Sequence, residues 1–439
     1  MNKIIIKKFG PVDYFEMTLE RKLNILIGQQ ATGKSTIVKL IYFCESTRDE
    51  LVKFLFNEKL IIENDTKQLL FEFSKNMVRR FNQFFGSTKH FDNFEIFFDF
   101  SETISFTISK NANGNLKIEF NKQLKNLIHN LMLSYKNYYA SIESANIEAF
   151  NLSDISFDVS RQEFFFKKIT DEVNNILETD YSNVYIPAGR YWATVVSDVD
   201  MEIIPDALMQ NFAKYIKALR RNFITKMEDI IDSKEVSIKN SSKYKNNAEN
   251  AMYIIRRILK GDYIFSLDGE KLYYNTNKFV YITQASSGQQ EILWILLILF
   301  DIILNNKKIF LVIEEPEAHI FPETQKQVME LIALAINITD SQILITTHSP
   351  YILTSTNLLI HSDNVENKIK DDETVIDKDM RLHRDKVGAY MLTQNGEFTY
   401  KKIIDEETGL IEARDIDSVS DTINQETDKL LNLEVKHGL

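Results

Sequence analysis

The fold is decided by the stretch Leu23-Asn24-Ile25-Leu26-Ile27-Gly28-Gln29-Gln30-Ala31-Thr32-Gly33-Lys34-Ser35-Thr36. Its first residues are mostly apolar and predict a strand that ends at Gly28, and the apolar residues after Thr36 have helical spacing. The spacing from Gly28 to Gly33, Lys34 and Ser35 matches the phosphate-binding loop pattern G-x-x-x-x-G-K-[ST]. We therefore predict a strand, a phosphate-binding loop and a helix, in this order.

Each residue type in this loop has a chemical purpose. The two glycines let the backbone curl until its N–H groups face the phosphates at the positive end of the helix. Lys34 is predicted to reach the β- and γ-phosphates, and the Ser35 hydroxyl to coordinate Mg²⁺. The alternative is a strand–turn–helix that binds no nucleotide. The residues predicted to bind ATP are Gly28, Gln29, Gln30, Ala31, Thr32, Gly33, Lys34, Ser35 and Thr36.

Composition narrows the class of protein. The chain has 439 residues, which predicts two or three domains, and its 44% of hydrophobic residues indicates a globular protein. A single cysteine, Cys44, excludes an internal disulfide framework and favours the reducing cytoplasm. The longest apolar run, Ile292 to Phe300, is shorter than the ~20 residues that a bilayer requires. We therefore expect a core helix there, no signal peptide and no membrane partner.

Charge is distributed unevenly along the chain. The formal net charge is −11, but residues 217–260 contain 11 Lys and Arg against 5 Asp and Glu. Residues 361–439 contain 11 basic residues against 19 acidic ones. Because one-sided charge mainly selects partners, we expect the basic stretch to contact nucleic acid or an acidic protein surface. A solvated helical face is the alternative. The acidic stretch is expected to dock a protein effector or to pack within an assembly.

The order of predicted elements suggests four parts. Residues 1–45 form the first part of an ATPase head, and residues 46–180 form an inserted lobe of helices and a β-meander. Residues 181–360 complete the head and include helices over 204–260. Residues 361–439 form an acidic C-terminal subdomain with a hairpin and a closing helix over 419–433.

Three further motifs lie between residues 286 and 350. Ser286, Ser287, Gly288 and Gln289 precede the long apolar helix, and small residues there allow backbone N–H groups and a hydroxyl to approach a phosphate. Glu314 and Glu315 end the apolar run that begins at Ile309, where Glu314 is predicted to hold Mg²⁺ and Glu315 to deprotonate the attacking water. A strand ending in a solvated acidic turn is the alternative.

His348 ends another apolar run, Gln342 to Thr347, and is predicted to hydrogen-bond the γ-phosphate. Arg190 follows the strand-like run Val184 to Ile186 and a Pro-Ala-Gly turn. It is predicted to stand at the tip of that turn and to contact the nucleotide or a partner subunit. An ordinary strand exit is the alternative.

Together, the motifs G-Q-Q-A-T-G-K-S, S-S-G-Q-Q-E, I-E-E-P-E-A-H-I-F-P and T-T-H-S-P resemble the AAA-15/AAA-21 group of ATPases. That group is similar to the ABC-type heads of SMC proteins and of OLD-family nucleases. The resemblance implies an α/β head, a mixed sheet flanked by helices, with an inserted α+β lobe and a small C-terminal α+β subdomain. It also implies the ATPase component of a bacterial anti-phage system of the Septu-, retron- or PARIS-like kind.

Two departures limit this resemblance. The residues after His348 lack the glutamate-then-D-x-D pattern of the nuclease domain in OLD proteins, and no long heptad coiled coil of the SMC kind is present. We therefore expect a homodimer or higher oligomer of heads paired head-to-tail, with each ATP between Lys34 of one chain and Ser287 of the other. The expected partner is a separate effector, a nuclease or toxin. The alternatives are a non-hydrolysing scaffold locked by ATP, a DNA-repair ATPase acting on DNA ends, and a transporter motor.

Overall fold

A computed structural model describes residues 2–110, 113–148, 155–195, 206–235, 241–275, 277–366, 374–395 and 397–412, together with Thr427 and Lys429. The strands are β1 (Lys3–Phe9), β2 (Val12–Thr18), β3 (Leu23–Gly28), β4 (Glu95–Ser101), β5 (Ile104–Lys110), β6 (Leu116–Phe120), β7 (Ser182–Ile186), β8 (Asp262–Ser266), β9 (Gly269–Asn275), β10 (Lys278–Tyr281), β11 (Ile309–Glu314), β12 (Gln342–Thr347), β13 (Val387–Asn395) and β14 (Glu397–Lys402). The helices are α1 (Lys34–Glu45), α2 (Thr47–Leu55), α3 (Glu58–Glu63), α4 (Thr66–Phe85), α5 (Lys122–Glu148), α6 (Ile155–Leu177), α7 (Trp192–Val195), α8 (Ala207–Leu219), α9 (Met227–Glu235), α10 (Ser241–Leu259), α11 (Ser287–Asn305), α12 (Pro322–Thr339) and α13 (Pro350–Glu366).

A six-stranded mixed sheet forms the centre of the fold, in the order β14-β13-β3-β12-β11-β7. The strands from β13 to β7 pair in parallel, and β14 joins them antiparallel. Strands β3, β11 and β12 are buried along their whole length, as expected of parallel strands covered by helices on both faces. The predicted class, an α/β head with a mixed sheet flanked by helices, is confirmed.

Alternate residues of the central strands enter two different hydrophobic cores. On β11, Leu311 and Ile313 pack on one side with the apolar helix α11, whereas Phe310 and Val312 pack on the other side with α1. This alternation follows from the two-residue period of a strand, which turns successive side chains to opposite faces. The result is a sheet fixed between two cores, so the loops at its edges have a rigid support.

A second, antiparallel sheet has the order β2-β1-β4-β5-β6. Strand β1 pairs with β4, for example Ile6 with Ile96. The β-meander of the region 46–180 therefore continues the sheet that begins at the N-terminus. The domain boundary predicted after residue 45 passes between strands of one sheet.

The C-terminal hairpin β13–β14 lies in the central sheet beside the strand of the phosphate-binding loop. Strand β13 pairs in parallel with β3, and Leu392 lies opposite Gly28. The boundary predicted after residue 360 therefore also separates strands that belong to one sheet. The closing helix predicted over residues 419–433 lies outside the residues described.

The helices predicted over residues 204–260 form as α8, α9 and α10 in the described structure. Helix α8 ends in a short 3-10 turn, and α9 and α10 follow it. The next strands, β8 to β10, form a small three-stranded antiparallel sheet that leads into α11. By length and composition α11 could cross a membrane, but 72% of its apolar window is buried inside the protein. Because a buried core helix passes the same test, this is the core helix that the sequence predicts.

Candidate functional site

Four segments that carry candidate site residues end at the same edge of the central sheet. Thr347 of β12 lies opposite Ile27 of β3, and Thr346 lies opposite Glu314 of β11. Strand β7 ends beside β11, since Ile186 pairs with Ile313. Ligands of open α/β sheets bind at this carboxyl edge of the parallel strands. The topology therefore brings together the phosphate-binding loop, both carboxylates, His348 and the turn before Arg190.

The loop after β3 presents unpaired backbone donors. Gly33 is the N-cap of α1 and has a φ of 86°, a left-handed conformation that favours glycine. Among the residues that the structure describes, no side chain caps this helix, and its first turn contains no acidic residue. The N–H groups at the positive end of α1 are therefore available to an anion, as a phosphate requires. The loop itself is braced by the Thr32 hydroxyl, which donates to the Gln29 carbonyl at 2.8 Å.

Lys34 is held inside the loop. Its Nζ donates to the carbonyl oxygens of Gly28 at 2.8 Å and Gln29 at 2.7 Å, and the residue is 5% exposed. Burial lowers the pKa of Lys34 to about 8, although nearby carboxylates partly oppose the shift. A bound polyanion would stabilise a buried ammonium beside the N-terminal N–H groups of a helix. This loop therefore fits a triphosphate.

Ser35 and Glu314 converge from opposite ends of the chain. The Ser35 hydroxyl donates to Glu314 Oε2 at 2.5 Å, and the Tyr185 hydroxyl donates to Glu314 Oε1. Glu314 is buried, and Tyr185, which is also buried, has a pKa raised well above its usual value by burial. Both Glu314 oxygens are therefore fixed in place, one of them directly at the hydroxyl of the loop.

This pair fits Mg²⁺ better than a transition metal. The described segments contain no group of three or more His, Cys, Asp or Glu side chains that could hold an ion. Mg²⁺ differs from such metals because it is usually held by one or two protein oxygens together with substrate phosphates. A serine hydroxyl and a carboxylate beside a phosphate-binding loop meet that requirement.

Glu315 differs from its neighbour in backbone and exposure. It has a φ of 45°, and its N–H donates to the Thr346 carbonyl at 2.9 Å. This unusual backbone turns Glu315 away from the strand direction that Glu314 follows. His348 Nε2 lies 3.4 Å from Glu315 Oε1, and both side chains are 36% exposed. The second carboxylate is therefore open to solvent and adjacent to the histidine.

Glu317 fixes the loop of His348, a role that the sequence prediction missed. Its Oε1 accepts from the Thr347 hydroxyl at 2.7 Å and from the His348 backbone N–H at 2.6 Å. Tyr185 was also missed as a partner of Glu314. The only sequence signals were a third glutamate in the E-E-P-E run and a tyrosine hydroxyl within an apolar strand.

The predicted signature residues lie at the start of α11. Ser286 is its N-cap and forms a capping box with Gln289, so their side chains bond each other and the helix backbone. Gln289 Nε2 also donates to the Leu259 carbonyl at 2.7 Å. Ser286 and Ser287 are exposed. Among the residues described, no hydrogen bond or ion pair joins this group to the phosphate-binding loop of the same chain.

The position predicted for Arg190 is wrong. The side chain is 0% exposed rather than at the tip of a turn. Its guanidinium donates to the backbone carbonyls of Glu291 at 2.8 Å, Glu314 at 2.8 Å and Glu315 at 3.0 Å. The Pro-Ala-Gly turn folds the arginine back under the sheet edge, where carbonyl groups replace water as its partners.

Residues 1–353 match the model of the family described as AAA ATPase domain (AAA-15). No curated protein sequence matches the chain.

Solved structures with similar folds include SMC heads. One is an SMC head bound to the C-winged helix domain of ScpA, with 11% identity, a TM-score of 0.41, and coverage of 92% of this chain and 97% of that one. Another is the SMC head domain from Thermotoga maritima, with 11% identity, a TM-score of 0.37, and coverage of 92% and 98%. Likeness at these TM-scores adds nothing to the family assignment.

Proposed function

The chain belongs to the AAA ATPase domain family AAA-15, and on this premise we propose that it binds ATP with Mg²⁺ and hydrolyses it to ADP and phosphate. One observation carries the proposal. The Ser35 hydroxyl of the phosphate-binding loop and the Glu314 carboxylate meet at 2.5 Å on the carboxyl edge of the sheet. A buried carboxylate at this position is explained by a cation that both groups bind.

The proposed roles follow from the position of each group. The uncapped N–H groups of α1 and the Lys34 ammonium would bind the β- and γ-phosphates, replacing the Gly28 and Gln29 carbonyls as partners of Lys34. Ser35 and Glu314 would hold Mg²⁺, and Tyr185 would keep Glu314 oriented. When bound, Mg²⁺ supplies neutralisation of the charge on the phosphate oxygens.

Glu315 is proposed as the general base. It is the more exposed of the two carboxylates, whereas Glu314 is buried and engaged at both oxygens. A base must reach the water whose proton it takes, so exposure favours Glu315. His348 lies beside it and would donate a hydrogen bond to the γ-phosphate, with its loop held by Glu317.

The signature residues are proposed to act on a second copy of the chain. Ser286 and Ser287 are exposed at the positive end of α11, and no bond in the described structure ties them to their own phosphate-binding loop. We therefore propose that two heads pair head-to-tail, with ATP between Lys34 of one chain and Ser287 of its partner. A purely monomeric protein at saturating ATP would contradict this pairing.

The motif resemblance supports a proposed role in bacterial anti-phage defence. In this role ATP binding and turnover regulate a separate effector, a nuclease or toxin. Co-purification of the tagged chain with the products of its neighbouring genes tests this role. An effector activity that does not depend on ATP would contradict it.

Nucleic acid is the alternative partner, and the structure weakens the case for it. Arg256 pairs with Asp262 at 2.5 Å and Arg220 pairs with Glu270 at 2.9 Å. Both acids lie outside residues 217–260, so they offset two of the six surplus positive charges of that stretch. Turnover stimulated by DNA or RNA at low salt would nevertheless favour this partner.

Turnover of ATP is the experiment that tests the proposed function. The wild-type chain should release phosphate from ATP with Mg²⁺ and release none when the metal is removed with EDTA. Glu314→Gln should require a much higher Mg²⁺ concentration, because the amide keeps the shape but loses the charge that binds the cation. ATP binding without any phosphate release by the wild type would support the ATP-locked scaffold instead.

A further inference from the structure

A fully buried cation, Arg190, lies between two parts of the candidate site. It follows β7 and bonds to the backbone at the end of β11, through the carbonyls of Glu314 and Glu315. It also donates to the Glu291 carbonyl near the start of α11. One guanidinium therefore joins the segment with both carboxylates to the helix that begins with the signature residues.

The ion pair within this junction is incomplete. Arg190 Nε lies 3.6 Å from Glu291 Oε2, and both side chains are at most 2% exposed. Within the part of the chain that the structure describes, Glu291 Oε2 is buried without a hydrogen-bond partner. Burial lowers the pKa of Arg190, and the Glu291 charge opposes this shift. A buried carboxylate that lacks a hydrogen bond is unfavourable, and a small movement of α11 toward Arg190 would supply one.

The backbones of the same two segments are also in close contact. A Cβ atom on Gly288, in the first turn of α11, would lie 2.6 Å from the His319 carbonyl oxygen. Only glycine allows this approach, because any side chain would overlap a backbone atom that cannot rotate away. His319 belongs to the loop that follows Glu315. The start of α11 is therefore linked to this loop by direct contact as well as through Arg190.

We propose that Arg190 is a positioning residue that couples the N-terminal part of α11 to Glu314 and Glu315. The proposal rests on the proposed function. If two heads pair head-to-tail, α11 acts at the partner's ATP while Glu314 and Glu315 act at the chain's own ATP. A rigid link between them makes occupancy of one ATP site favour the other, and ATP turnover becomes cooperative.

The shape of the guanidinium explains why arginine is required. Its planar fork bonds carbonyls on two sides at once, whereas a lysine ammonium is a point charge on a flexible stem. Arg190→Lys should therefore keep the buried charge beside Glu291 but lose part of the link between α11 and β11. Glu291→Gln leaves the guanidinium-to-carbonyl bonds intact and removes only the side-chain ion pair. It is therefore the variant that disturbs fewer contacts of Arg190.

The experiment measures turnover against ATP concentration for the wild type, Arg190→Lys, Glu291→Gln and a matched control, Arg220→Lys. Arg220 is also buried and paired, with Glu270 at 2.9 Å, but its hydrogen bonds do not involve the candidate site. We expect a wild-type Hill coefficient above about 1.3, falling to about 1 in Arg190→Lys with kcat lowered about tenfold and half-saturation changed less than about threefold. Glu291→Gln should lose cooperativity with a smaller loss of kcat.

The control variant distinguishes a loss of coupling between the ATP sites from a loss of folding stability. Arg220→Lys should lower the melting temperature but keep the wild-type Hill coefficient and kcat. Unchanged cooperativity in a folded Arg190→Lys or Glu291→Gln variant, or a wild-type Hill coefficient of 1, would overturn the proposal. Failure of the proposed function would look different, because the wild type would then release no phosphate. In that case ATP binding isotherms of the same four proteins report the coupling.

Discussion

The Ser35 hydroxyl lies 2.5 Å from Glu314 Oε2, although 279 residues separate the two in the chain. Ser35 lies in the first turn of the helix that follows β3, and Glu314 ends β11, which lies two positions from β3 in the sheet. The pair shows that the phosphate-binding loop and the acidic strand end form one site.

Removal of the Lys34 side chain should abolish ATP binding. The Lys34 ammonium donates to two carbonyls of the loop, and Lys34→Ala removes the charge that would face the phosphates. We expect affinity measured by calorimetry to fall by at least about a hundredfold. Lys402→Ala, on the exposed end of β14, is the control and should bind ATP normally. Unchanged affinity of Lys34→Ala would contradict the assignment of the loop.

ATP affinity should depend on pH through Lys34. Burial lowers the pKa of Lys34 to about 8, so the free protein loses this charge as the pH rises through 8. Bound phosphates favour the charged ammonium, so binding above pH 8 takes up a proton and weakens by up to about tenfold per pH unit. Calorimetry in buffers of different ionisation enthalpy measures the uptake. Constant affinity to about pH 9.5, without proton uptake, would exclude this titration.

Tyr185 should strengthen Mg²⁺ binding through its hydrogen bond to Glu314. Tyr185→Phe removes the hydroxyl that donates to Glu314 Oε1 and leaves the packing of the ring intact. We expect half-maximal turnover to require about tenfold more Mg²⁺, the usual size of such an effect on a metal ligand. Tyr42→Phe is the matched control, because the Tyr42 ring lies 5.1 Å from that of Tyr185. The same Mg²⁺ dependence in both variants would show that Tyr185 only packs.

Glu45 should make stability depend on pH. Burial raises the pKa of Glu45 to about 7, while the Asn2 amide donates to its Oε1 at 2.8 Å. Since the unfolded chain releases this proton near pH ~4.3, the stability from Glu45 is fully present below that pH. This stabilisation is lost as the pH rises to about 7, and the free energy of unfolding falls by a total on the order of 3 kcal/mol.

Glu45→Gln removes this titration. The variant should unfold at a higher temperature than the wild type at pH ~8 and show little gain at pH ~4.5. The exposed substitution Glu102→Gln is the control and should change stability by less than ~0.5 kcal/mol at either pH. An equal difference between Glu45→Gln and the wild type at both pH values would rule out Glu45 as the source.

The segments that meet at the candidate site could be predicted from the sequence because their motifs are local. Each motif marks the end of a strand: the glycine loop, the double glutamate after an apolar run, and the histidine after another run. The carboxyl ends of parallel strands lie at the same edge of a sheet. The same reasoning predicted the strands and helices around residues 23–45 and 287–347. These elements are long and strongly periodic, so no distant contact is needed to recognise them.

Arg190 could not be located in this way. A Pro-Ala-Gly turn predicts exposure, whereas the partners that bury Arg190 come from Glu291 and Glu314, more than 100 residues later. The pairing of β1 with β4 and of β13 with β3 was missed for the same reason. Strand pairing between remote segments leaves no local signal, and the predicted domain boundaries consequently cut through shared sheets.

The most direct test of the account is turnover by Glu315→Gln. The substitution keeps the size of the side chain and its distance from His348 but removes the base. The account predicts that the variant binds ATP and Mg²⁺ as tightly as the wild type, accumulates as the ATP-bound dimer, and turns over at least about a hundredfold more slowly. Hydrolysis of ATP by Glu315→Gln at the wild-type rate would contradict it.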